Sequence, residues 1–143
     1  MRQKTTLWLV LSVTFAILYG SSIAMAIPED ETEIEISSIS AGFGAVIVEI
    51  KNSGTESAYE ISSTTTVKGG ILNSIDLIHV CEGCDVCGTS LAAGAIKSES
   101  TREAGFLFGF GSITITVSAQ ASNAEQVTAT AQGTIIGPFV MIN

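Results

Sequence analysis

The sequence predicts an all-β fold, an antiparallel sandwich of seven to eight strands, on three observations. Apolar and polar residues alternate with period two after residue 33, as in SITITVSA (112–119) and QVTATAQ (126–132). A sheet with one buried face requires that alternation. Ile, Val and Thr dominate these runs, and their branched side chains suit a pleated surface. Turn chemistry separates the runs, at Asn52-Ser53-Gly54, Gly69-Gly70 and Ser122-Asn123-Ala124. No stretch of helical period, no internal repeat and no interdomain linker interrupts the pattern, so one domain is expected.

The strands read from these signals are 33–40, 43–51, 57–67, 71–81, 95–102, 112–120, 125–133 and 135–142. In the first, Ile34, Ile36 and Ile39 oppose Glu33 and Glu35. In AVIVEIK, Val46, Val48 and Ile50 share one face, with Ala45, Ile47, Glu49 and Lys51 on the other. Ile113, Ile115, Val117 and Ala119 form the inward face of SITITVSA. Val127, Ala129 and Ala131 do the same in QVTATAQ. ILNSIDLIHV is apolar on both parities, which predicts a central strand or a bulged one. The tail TIIGPFVMIN is too short to span a membrane. It reads as a last strand in the core or at an edge, able if exposed to add to a neighbour's sheet and drive self-association.

Ahead of the strands, Arg2 and Lys4 precede the apolar run Leu7–Leu18, and Ala24-Met25-Ala26 gives an A-x-A cleavage pattern. This predicts a helical signal peptide over 1–26. Gly20, Ser21 and Ser22 break the apolar run and weigh against a retained anchor. The acidic stretch IPEDETE (27–33) then reads as a flexible entry, with the sandwich over 34–143. The expected location is secreted or on the cell surface.

Cleavage after Ala26 leaves 117 residues, enough for one core and not for a large catalytic apparatus. They hold four basic residues (Lys51, Lys68, Lys97, Arg102) against all fourteen acids, a formal net charge of −10. Such a surface repels nucleic acid and anionic membranes, so neither a nucleic-acid partner nor membrane insertion after cleavage is expected. One histidine and few bases leave no credible triad, and no enzyme activity is expected.

The one concentration of chemistry is HVCEGCDVC, which packs His79, Cys81, Cys84 and Cys87 into nine residues. Outside the cytoplasm thiols oxidise. Cys81-Glu82-Gly83-Cys84 suits a β-turn that brings its ends within disulfide range, and a Cys81–Cys87 bridge is also feasible. Either leaves one cysteine over for a free thiol or a link to another chain. The alternative is a Cys3His metal site for zinc or copper. It lacks the second, separate ligand pair usual in zinc ribbons. A thiol-redox role would need a βαβ context that is missing.

A second candidate is GFLFGFGS, where Phe106, Phe108 and Phe110 share a parity. Buried phenylalanine is the commoner state, so the expectation is an aromatic plug closing one end of the sandwich. The functional alternative is an exposed patch for assembly or ligand binding.

VIVEIKNSGTESAYEISSTTTVKGG, then Leu91-Ala92-Ala93-Gly94, FGFG and SITITVSA, resembles the secreted immunoglobulin-like β-sandwich modules of archaeal and bacterial surface proteins, of the CARDB or S-layer-associated kind. The resemblance covers roughly Gly42 to Gly137. It implies an immunoglobulin-like sandwich acting as an adhesion, spacer or scaffold unit with a protein or cell-surface partner. Such modules are often repeated in long proteins, whereas one copy stands here. The stretch also lacks the Trp and the widely spaced cysteine pair of antibody-like domains.

Overall fold

The computed structural model describes residues 31–82 and 89–143. The expected signal peptide, most of the acidic entry, Cys84 and Cys87 lie outside the described residues. Among the described residues the fold is all-β. β1 (Ile34–Ala41), β2 (Val46–Asn52) and β7 (Ile96–Ser100) form a three-stranded sheet in the order β1-β2-β7. β4 (Ser62–Gly69), β5 (Ile75–Cys81), β8 (Gly109–Ala121), β9 (Ala124–Gly137) and β10 (Phe139–Ile142) form a five-stranded sheet in the order β10-β9-β8-β4-β5. β3 (Ala58–Tyr59) and β6 (Ser90–Leu91) make a small two-stranded ladder. Every pairing is antiparallel.

The alternation sets the core. Val46, Val48 and Ile50 of β2 meet Ile113, Ile115, Val117 and Ala119 of β8 in one cluster, with Val67, Ile135 and Val140. The core is aliphatic: no phenylalanine or tyrosine is buried among the described residues. In β1 the register shifts between Ile36 and Ser38. That extra residue returns Ile39 to the inward face three positions after Ile36, so both pack against the core.

Three expected strands differ from the observed ones. The run 57–67 splits at Glu60, whose φ of 50° lies in the left-handed region. The turn sends β3 to pair with β6 and β4 to the large sheet. The run 71–81 begins as a 3-10 turn, Ile71–Asn73, and becomes a strand only at Ile75. β5 is an edge strand, which accounts for its doubtful parity. Ile75, Leu77, His79 and Cys81 face inward, while Ile78 and Val80 lie exposed on the outside. Near the end of the chain, β9 continues through Gly133 to Gly137. A Cβ at Gly133 would lie 2.5 Å from the Met141 carbonyl oxygen, so glycine lets β10 approach there.

Two buried polar arrangements tie the sheets together. Asn52 is fully buried, and its Nδ2 donates to the carbonyls of Glu56 (2.7 Å) and Leu91 (2.8 Å). Its Oδ1 accepts from the Gly54 amide at 3.0 Å. At the β5/β7 side, Lys97 and Glu99 point inward from an edge strand. Lys97 Nζ lies 2.9 Å from Glu99 Oε1, with side-chain exposures of 12% and 4%. The contact is ionic rather than an aligned hydrogen bond. Ser63 on the opposite sheet donates to Glu99 Oε2. Inward charges on an edge strand discourage pairing with other chains.

The two ends of the sandwich differ. At one, the entry at Glu31–Glu33, the connection after β2 and the β8–β9 hairpin converge. The Glu33 carbonyl accepts from Ser53 and Gly54 amides, and Asn123 Nδ2 donates to Thr32 Oγ1 and the Ser57 carbonyl. Glu31, Glu33, Glu56, Glu60 and Glu125 cluster at this end. The other end is built from 42–44, 70–73, 101–110 and 137–139.

Candidate interaction surface

That second end carries all five phenylalanines of the described chain. Register places four apolar residues in one row, on the outer face of the large sheet where it reaches this end. Phe110 on β8 is opposite Ile136 on β9, Ile136 is opposite Phe139 on β10, and Phe139 bridges to Phe43 in the β1–β2 turn. Directly opposed residues of an antiparallel pair project to the same side, so the row is a continuous strip. Phe43 meets Phe139 edge-on at 5.6 Å and Phe106 at 5.5 Å, and Phe108 meets Phe110 at 6.1 Å. These are the offset geometries that ring quadrupoles favour.

Local chemistry holds the strip in place. Gly44 has φ of 68°, and a Cβ there would collide with the Phe106 ring, so glycine is required for the ring to lie against the turn. The Leu107 amide donates to the Gly44 carbonyl at 2.9 Å, and Leu107 itself is buried. Leu107 thus anchors the segment while its neighbours Phe106 and Phe108 point outward. Arg102 Nη1 donates to the Phe43 carbonyl at 2.7 Å, and its guanidinium carbon lies 4.9 Å from the Phe106 ring centre. This cation–π contact braces the ring from the solvent side.

The strip is exposed. Phe106, Phe108 and Phe110 are 47%, 62% and 50% accessible, and Phe43 and Phe139 are 56% and 58% accessible. The expected aromatic plug is therefore not formed. Leu107, between two of the phenylalanines, takes the core position instead. At the rim Leu72 is 95% exposed with φ of 58° and ψ of 28°. A bulky residue in the left-handed region costs about 1–2 kcal/mol, and here it holds a leucine out in water.

The cysteine region is described only in part. His79 and Cys81 lie on the inward face of β5, opposite Thr65 and Ser63 of β4, and both are buried. Lys97 Nζ is 4.0 Å from Cys81 Sγ. Among the described residues, no group of three or more His, Cys, Asp and Glu side chains is placed to hold a metal ion. Among these residues, also, no helix is long and apolar enough to cross a membrane.

Sequence reading missed Phe43, Phe139, Arg102 and Leu72 as parts of this surface. A signal was present for the first two: GFG at 42–44 and GPF at 137–139 repeat the Gly–Phe association of GFLFGFG. No protein-family model matches the chain, and no curated protein is significantly similar to it.

Proposed function

We propose that this chain is an exported structural and interaction module, a non-catalytic immunoglobulin-like sandwich that makes contact through its aromatic end. The exposed row Phe110–Ile136–Phe139–Phe43 carries the reading. Water-exposed phenylalanine is unfavourable unless a partner covers it. The immunoglobulin-like reading is supported by strand order. Setting aside the short ladder and β10, the first, second and fifth strands share one sheet, and the third, fourth, sixth and seventh share the other. The first, second and fifth strands are thus divided from the third, sixth and seventh as in such modules, while the fourth lies beside the third rather than in the sheet where the constant-type domain has it.

The loop after β5 serves as a stapled tip in this reading, with Cys81 joined to Cys84 or Cys87. It is supported by the state of Cys81, which is buried and does not stand as a free thiol, and it accords with the export expected of the leader. The zinc or copper alternative needs Cys81 as a free thiolate together with His79, Cys84 and Cys87.

The test of the contact surface is retention at the cell. In the cells that produce it, the wild-type protein should fractionate with the envelope. The double variant Phe43→Ser/Phe108→Ser, altered only at exposed positions, should be released into the medium. Unchanged retention of a folded double variant would remove the aromatic end from the contact.

A further inference from the structure

We infer that the occupant of the aromatic end is a second copy of this chain, in a two-fold, end-to-end dimer. The inference rests on the contact-surface reading above and adds the partner.

Area is the first argument. The five phenylalanines are between 47% and 62% exposed, which at roughly 200 Å² per ring residue leaves about 500 Å² of aromatic surface in water. Ile71, Leu72, Ile136 and Met141, exposed at 63%, 95%, 53% and 47%, add roughly 500 Å² on the same scale. The sum, about 1,000 Å², exceeds the ~300–600 Å² of the largest patch on a typical monomer. It matches the ~800 Å² per partner of a stable interface.

Charge is the second argument. The chain is acidic, with a formal net charge of −8. Five glutamates sit at the opposite end, whereas the aromatic end carries Arg102 beside Glu103 and the Lys68–Asp76 pair, 3.7 Å apart. A head-to-tail contact would press phenylalanines onto glutamates and strip water from unpaired carboxylates. An end-to-end contact keeps both acidic ends far away. Strand β8, of thirteen residues, is about 40 Å long, so the acidic ends would stand roughly 80 Å apart, many times the ~8–10 Å over which such charges act. Apolar matter meets apolar matter, and the repulsion that would oppose any other self-contact is minimised.

The third observation is the isologous character of the strip. A two-fold interface requires one patch to be complementary to itself. Phe43, Phe110, Ile136 and Phe139 lie side by side in one row, so a copy rotated about a two-fold axis sets the same row against its own equivalent.

The experiment is sedimentation velocity of the purified exported protein from low micromolar to about a hundred micromolar. Wild type should shift from monomer to dimer over this range. Phe43→Ser/Phe108→Ser should weaken dimerisation at least a hundredfold, since each substitution enters a two-fold interface twice. Tyr59→Ser, at the acidic end, should dimerise as wild type does, and far-UV circular dichroism of all three should coincide. A wild type that stays monomeric overturns the inference, as does a folded double variant that dimerises normally. Flotation with zwitterionic phosphatidylcholine vesicles supplies the other occupant: uptake of monomer through the same phenylalanines would replace the second copy with a lipid surface. Loss of envelope retention in a double variant whose parent is monomeric would sink the dimer and leave the contact-surface reading standing. Normal retention with abolished dimerisation would do the reverse.

Discussion

Replacing Lys97 with Met should unsettle this fold more than its place on an edge strand implies. Glu99 is 4% exposed in its side chain, and its two oxygens face Lys97 Nζ and the Ser63 hydroxyl. Without the ammonium, the carboxylate stays between the sheets with an uncompensated charge. Breaking a buried pair from one side costs about 3–5 kcal/mol, a large part of the roughly 5–15 kcal/mol that holds a domain together. At a urea dependence of roughly 1–1.5 kcal/mol per molar for a domain of this size, the midpoint should fall by about 2–5 M. Glu99→Leu should cost less, because it removes the more deeply buried charge of the pair, 4% against 12% exposed. The double variant Lys97→Met/Glu99→Leu should return to within about 1 kcal/mol of wild type or exceed it, since apolar pairs of similar volume replace buried ion pairs without loss. The assay is urea unfolding followed by far-UV circular dichroism for all four proteins. Single variants losing under about 1 kcal/mol, or a double variant losing the sum of the two, would show that water screens the pair and that the burial reasoning is wrong.

Other expectations are as direct. Asn52→Ala removes three hydrogen bonds from a fully buried side chain and should cost about 2–4 kcal/mol, with faster hydrogen exchange at Gly54 as its local sign. Ile115, wholly buried at the centre of β8, should lose about 2–5 kcal/mol as Ala and about 0.5–1.5 kcal/mol as Val, read from the same urea curves. Gly133→Ala should push β10 away, because its Cβ meets the Met141 carbonyl oxygen; loss of exchange protection over 133–136 with an intact β8 would be the signature. Intact mass of the purified protein should be two hydrogens below the fully reduced chain with no ion retained. A native mass carrying zinc or copper, with all three thiols recoverable on unfolding, would overturn the staple.

Much of this architecture was legible because period-two alternation reports directly on which face is dry. Ile113, Ile115, Val117 and Ala119 were readable as core from spacing alone. What spacing hides is position within a sheet. The parity of β5 looked ambiguous because an edge strand can carry Ile78 and Val80 on its outer face without either contacting the core. The bulge after Ile36 was only hinted at by the misplaced Ile39, since alternation says nothing of an extra residue until the partner strand is known. The aromatic end was half legible. GFLFGFGS drew notice, but phenylalanine is more often inside than out, and the segment could not announce that Leu107 would take the core position. Phe43 and Phe139 lie 96 positions apart and join only through tertiary pairing. The Lys97–Glu99 pair had no signal, because two charges at i and i+2 on a strand read as a solvated face.

The separation of aliphatic core from aromatic end also decides what light can report. The single Trp, Trp8, is in the segment expected to be removed, and Tyr59 is 51% exposed. Every phenylalanine of the described chain belongs to the exposed end. Near-ultraviolet bands, which in most domains follow the melting of the interior, would in this one follow whatever touches its surface. A change in those bands at constant far-ultraviolet signal would mark an encounter between intact molecules, and the interior would unfold with scarcely an aromatic witness.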